Sequence, residues 1–161
     1  MKKRISSIAL VLIVILAALS FAACSDNQDT TTTTSTTAPV AVQTMTLVIG
    51  TDEPTAYTVE LDKLEIKNGL MSVLDYLEAT QGLEYASDDS GYGAFLTKVG
   101  ALEQKDGSYI YIYTSVEKDI DVSQYATTVK YNGATITSAG VGASELTIEP
   151  DCIIYIGTIT F

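Results

Sequence analysis

The stretch Ser72-Val-Leu-Asp-Tyr-Leu-Glu-Ala-Thr-Gln-Gly82 decides the fold, because the hydrophobic period changes there. Val73, Tyr76, Leu77 and Thr80 recur at helical spacing, Ser72 with Asp75 approximates a capping box, and Gly82 offers a left-handed stop. The spacing predicts one short helix over 73–81. Upstream, Met45–Ile49 and Ala56–Leu61 read as strands joined by the turn-rich Gly50-Thr-Asp-Glu-Pro54, a hairpin. Downstream, strands are predicted over 94–99, 108–113, 127–131, 134–137, 144–148 and 152–161, with Asn132-Gly133 suited to a type I′ turn. A hairpin, a helix and further strands make an α+β plan of β-grasp-like type, a mixed sheet with one short helix packed on one face.

Ahead of this domain the chain carries an address. Lys2, Lys3 and Arg4 precede an apolar run from Ile8 to Leu19, followed by Ser20-Phe-Ala-Ala-Cys24. Basic, apolar and small residues in that order form a secretory signal peptide, expected over 1–23, and the run is short of the roughly 20 residues that span a bilayer. Phe21-Ala-Ala-Cys24 resembles a bacterial lipobox, which implies cleavage before Cys24 and a diacylglyceryl thioether on its sulfur. Two acyl chains of the palmitate type anchor stably, at about 0.8 kcal/mol per buried methylene. The other reading is an ordinary cleavage that leaves Cys24 a free thiol. Residues 24–43, with seven threonines between Thr30 and Thr37, have too little to bury and read as a flexible tether; such composition is also that of O-glycosylated stalks. The expected domain is 44–161, displayed outside the cytoplasm on a bacterial cell membrane.

Composition narrows the chemistry. The chain has 161 residues, no His, no Trp, 9 Lys+Arg against 20 Asp+Glu and a formal charge of -11. Removing Lys2, Lys3 and Arg4 with the signal peptide leaves 6 minus 20, or -14. Without histidine, the commonest general base and metal ligand and every Ser-His or Cys-His nucleophile are gone, so no catalytic residue is assigned and a non-enzymatic role is expected. Phosphate recognition needs the opposite field, which excludes nucleic acid.

Several stretches resemble, in order, the transcobalamin-like C-terminal domain family, a domain of unknown function found in bacterial lipoproteins. The carriers are Ser72-Val-Leu-Asp-Tyr-Leu77, Gly91-Tyr-Gly-Ala-Phe-Leu96 leading to Val99-Gly100, Gly107-Ser-Tyr-Ile-Tyr-Ile-Tyr113, and Gly142-Ala-Ser-Glu-Leu-Thr-Ile-Glu-Pro-Asp151 before Ile153-Ile-Tyr155. The family's usual tryptophan in the aromatic strand is absent here. In animal cobalamin carriers such a domain looks like a lid closing a corrinoid against a helical barrel. The resemblance therefore implies a corrinoid as candidate cofactor, and an accessory lid-like role in its binding or uptake beside a separate partner.

Four tyrosines are the candidate ligand-binding residues. Tyr109, Tyr111 and Tyr113 alternate with Ile110 and Ile112, so the phenols share one sheet face at about 7 Å intervals. Tyr92, between Gly91 and Gly93, sits in a loop that permits close backbone approach. Such a row could stack a planar ligand, a sugar or a peptide, or pack under the helix or a neighbouring strand. Asp88-Asp89, Asp119 with Asp121, and Glu149 with Asp151 complete no metal-binding spacing and read as solvated charge; no metal is assigned. Cys152, in an apolar strand, reads as a buried inert thiol. The leading expectation is a lipid-anchored, non-catalytic module that binds a small ligand or an extracellular protein.

Overall fold

The structure, a computed structural model, describes residues 41–160. The expected signal peptide, Cys24 and most of the expected tether lie outside these residues. The domain contains β1 (Thr44–Ile49), β2 (Thr55–Glu60), α1 (Gly69–Gln81), β3 (Tyr85–Ser90), β4 (Gly93–Val99), β5 (Leu102–Glu103), β6 (Ser108–Thr114), β7 (Thr128–Tyr131), β8 (Ala134–Ser138) and β9 (Ile153–Thr160). A six-stranded sheet runs β2-β1-β9-β6-β8-β7, and a second sheet runs β3-β4-β5. β1 and β9 are parallel, with Thr46 opposite Ile153 and Ile49 opposite Ile156. The other pairings are antiparallel, including the long one that sets Ser108 opposite Thr160 and Thr114 opposite Ile154. A hairpin, one helix and a last strand inserted beside the first give the α+β, β-grasp-like arrangement that the sequence predicts.

Period-two alternation divides the sheet's faces. Met45, Leu47, Ile49, Ile110, Ile154 and Ile156 point to the side where α1 sets Leu70, Met71, Val73, Leu74 and Leu77. Each such side chain, fully buried, contributes roughly 1.5–3 kcal/mol of transfer free energy. Leu96 and Val99 of the small sheet join the same core, so both sheets share one apolar centre. On the opposite face Val48, Tyr113, Ile136 and Tyr155 form a smaller cluster, with Tyr111, Val129, Tyr131 and Ile153 at its margin.

Four expectations need correction. Helix α1 starts at Gly69, ahead of Ser72, so the capping box does not form; Ser72 Oγ instead accepts the N–H groups of Lys67 (3.1 Å) and Asn68 (3.0 Å). The stop is as expected: Gly82, at φ 70°, donates its N–H to Glu78 O, and Leu83 donates to Leu77 O. The expected strand over 144–148 is absent, because its polar groups bond elsewhere. A 3-10 turn forms over Ala143–Glu145, Ser144 Oγ accepts the Ala94 N–H, and the Thr147 N–H goes to Asp119. Strand β3 was not expected, since Tyr-Ala-Ser-Asp-Asp-Ser is almost wholly exposed and carries no apolar alternation. Asp119 is buried at 7% exposure with Oδ2 accepting the Thr147 N–H at 2.6 Å, and Asp121 Oδ1 accepts the Ser123 N–H at 2.8 Å, so this pair organises loops and is not free surface charge.

Tyr85 ties β3 to α1 by donating its hydroxyl to Asp75 Oδ1. That bond, then burial, pushes the phenol up to about 12. An unfolded tyrosine ionises near ~10, so this stabilisation is complete below that pH and is lost as pH rises towards the folded value. The melting temperature is expected to fall over that alkaline interval, and Tyr85→Phe to fall less steeply, in paired thermal melts. In the core, Leu74→Ala is expected to cost roughly 2–5 kcal/mol in urea unfolding.

Candidate functional site

The turn between β3 and β4 displays Tyr92. Gly91 and Tyr92 form a two-residue loop, closed by a bond from Ser90 Oγ to Gly93 O and one from the Tyr92 N–H to Ser90 Oγ. From outside, Gly142 donates its N–H to Tyr92 O at 2.9 Å. The backbone is therefore held from two directions while the side chain is 88% exposed. Among the described residues the ring joins neither apolar cluster, and exposing it forgoes the burial that aromatic side chains ordinarily gain.

Beside the turn lies a cleft of about 120 Å³ between β4 and β6, lined by Ala94, Phe95, Leu96, Ile110, Tyr111 and Val141 among others. It exists because each strand has one unpaired stretch. β4 pairs with β5 only at Lys98 and Val99, leaving 94–96 without a strand partner on that side, where Ser144 Oγ takes the Ala94 N–H. β6 pairs with β8 only at Tyr113 and Thr114, leaving 109–111 open. The residues of β6 that bond towards β9 are odd-numbered, as the Ser115 N–H to Ile153 O bond fixes, so Ile110 directs its N–H and C=O towards the cleft. A second depression of about 310 Å³, lined by Gly91, Tyr92, Gly93, Gly140, Val141 and Glu145, adjoins the first through Val141. Phe95 at 42% and Val141 at 37% exposure extend the apolar rim.

The four candidate tyrosines separate. Tyr111 and Tyr92 line these two adjoining depressions. Tyr113, 6% exposed, packs edge-on against Tyr155 at 6.0 Å and against Tyr111 at 5.7 Å, so it takes the packed reading. Tyr109 remains 39% exposed on the same face. Phe95 and Val141 were not singled out from the sequence. The signal for Val141 is the Gly140-Val-Gly142 triplet, which mirrors Gly91-Tyr-Gly93 across the contact. Cys152 is buried, and burial pushes its thiol up, which suits an inert core group. Among the described residues no three His, Cys, Asp or Glu side chains group as a metal site, and no helix is long and apolar enough to cross a membrane.

No family model matches the chain, and no curated protein matches it. Among solved structures, a Ruminococcus gnavus protein provisionally described as metal-binding is similar with a TM-score of 0.47 and 14% identity, over 74% of this chain and 98% of its own. Haptocorrin, solved in complex with Cbi, is similar with a TM-score of 0.48 and 10% identity, over 75% of this chain and 26% of haptocorrin. This chain thus matches only about a quarter of haptocorrin's length. At these scores the likenesses say nothing of the site.

The Tyr92 turn depends on a close approach. A β-carbon at Gly142 would lie 2.4 Å from Tyr92 O and 2.9 Å from the Gly93 backbone. Gly142→Ala is expected to cost about 1–3 kcal/mol in urea unfolding and to raise amide exchange in the turn around Tyr92.

Proposed function

We propose that this chain is a lipid-anchored bacterial surface protein, attached through Cys24, whose folded domain is a non-catalytic binding module. The observation that carries the reading is Tyr92, an almost fully exposed aromatic ring on a turn fixed by hydrogen bonds at Ser90, Gly93 and Gly142. An exposed aromatic whose backbone is already ordered loses little freedom on contact, the property of binding anchors. Tyr92, Phe95, Val141 and Tyr111 form the contact surface, for a small planar or apolar group or for a side chain of an extracellular protein. The β4–β6 cleft, about 120 Å³, is well below the roughly 300–1,000 Å³ of sites that enclose a ligand, and the adjoining depression at Tyr92, about 310 Å³, is at the bottom of that range, which favours contact with a small group or a single side chain. The charge of -14 on the mature chain supports a partner other than nucleic acid. The signal peptide and lipobox support the membrane anchor and the extracytoplasmic location.

A corrinoid is the second reading, and it rests on the ordered motifs that resemble the transcobalamin-like domain. On that reading Tyr92 and Phe95 lie against one side of the corrin ring while a separate protein supplies the enclosing base.

The test is a thermal-shift and calorimetric series on the full chain with cyanocobalamin, cobinamide, cell-wall glycan fragments and peptides. Tyr92→Ala is expected to weaken whichever probe binds by about tenfold while leaving the melting temperature unchanged. Binding that survives Tyr92→Ala and Tyr111→Ala removes this surface from the reading. Mass spectrometry of the mature N-terminus is expected to show a diacylated Cys24; an unmodified thiol there removes the anchor.

A further inference from the structure

The unpaired edges of the two sheets are not alike. Natural sheets protect their edges with charge, proline, bulges or very short strands. β7 carries Lys130, and because the two-residue Asn132-Gly133 loop makes Tyr131 and Ala134 a bonded pair, Lys130 sits at an outward-facing position. β3 carries Asp88 and Asp89, and β5 is two residues long with Glu103. β2 carries one such device, Glu60 at its last position, and none from Thr55 to Val59.

Three hydrogen bonds fix which β2 groups face outward. Thr46 and Gly50 donate their N–H groups to Cys152 O and Ile156 O, so the even-numbered residues of β1 bond β9 and the odd-numbered ones bond β2. Leu61 N–H to Gln43 O sets the same phase from the other strand. Thr55, Tyr57 and Val59 therefore bond inward to Ile49, Leu47 and Met45. Ala56 and Thr58, both exposed, direct N–H and C=O away from the sheet.

Acid brackets this neutral edge. Asp52 and Glu53 precede it and are exposed; Glu60 ends the strand and Asp62 follows it. Lys63 pairs with Glu60 at 2.7 Å, while Asp52, Glu53 and Asp62 enter none of the ion pairs among the described residues. A second copy pairing antiparallel through β2 would bring residues 52–53 of each chain beside 60–62 of the other, acid against acid at both ends. Like charges so placed disfavour that pairing. A strand with cations at its ends meets the opposite situation.

We propose that the outer edge of β2 accepts an extended segment of a basic partner protein as an added strand. Ala56 and Thr58 supply the main-chain hydrogen bonds, and the acids at 52–53 and 60–62 hold Lys or Arg flanking a short uncharged, β-prone centre. This surface is separate from the Tyr92 contact surface, since β1 and β9 lie between β2 and β6. Failure of one leaves the other standing.

The experiment uses the full chain with two labelled peptides, KKTVTVTKK and EETVTVTEE, read by fluorescence anisotropy and by amide exchange. The basic peptide is expected to bind about tenfold or more tighter than the acidic one, to weaken as salt rises, and to slow exchange at Ala56 and Thr58. Thr58→Pro removes an outward N–H without touching the β1 ladder and is expected to lower affinity about tenfold. If Thr58→Pro unfolds, a double change of Asp52→Lys and Glu53→Lys must weaken the basic peptide and strengthen the acidic one. Equal binding of the two peptides overturns the proposal, as does protection confined to other strands. Sedimentation showing a dimer with amides 56 and 58 already protected overturns it in favour of self-pairing.

Discussion

Helix α1 and the small sheet are both positioned by the segment Gly142–Leu146, where they approach more closely than side chains ordinarily allow. A β-carbon at Gly69, the first residue of α1, would lie 2.7 Å from Ser144 O and 2.8 Å from Leu146 O. From the other side, Ser144 Oγ takes the Ala94 N–H and Gly142 gives its N–H to Tyr92 O. One short turn thus fixes where the helix begins and where the small sheet's hairpin stands. Asp119 secures the turn from below, with Oδ2 on the Thr147 N–H and its carbonyl on the Gly140 N–H. The buried carboxylate cannot be removed without orphaning the Thr147 N–H, which is where its structural value lies.

The architecture was legible where one physical signal acts alone. Alternation marked β1, β2, β6 and β9, the change of period marked the body of α1, and Asn132-Gly133 marked the β7–β8 turn, with both residues at positive φ. The signal failed where a segment's partners are distant in sequence. Residues 144–148 have strand-like composition, but their hydrogen bonds go to Ala94 and Asp119, partners that no local pattern reveals. β3 failed for the opposite reason, since an edge strand that buries nothing has no apolar period to read.

The candidate site was legible in part. Alternation put Tyr109, Tyr111 and Tyr113 on one sheet face without telling which one; only tertiary packing makes it the face away from the helix and separates Tyr113, sealed against Tyr155, from Tyr111 at a cleft margin. The cleft is a product of two strands that each stop pairing early. Strand lengths and partners, not residue types, decide that, so Phe95 and Val141 had no signature beyond the glycines around them.

The parallel pairing of β1 with β9 carries a consequence for how the domain comes into being. Thr46 meets Ile153 across more than a hundred residues of intervening chain, and β9 is also the strand that β6 needs for its long antiparallel register. Helix α1 and the β1–β2 hairpin can form early, but their apolar faces have no complete sheet to rest on until β9 arrives between β1 and β6. Closing so long a loop before its contacts repay the lost entropy makes for slow, late and cooperative assembly. Until that strand is in place, the apolar faces of α1 and of the β1–β2 hairpin stay open to water.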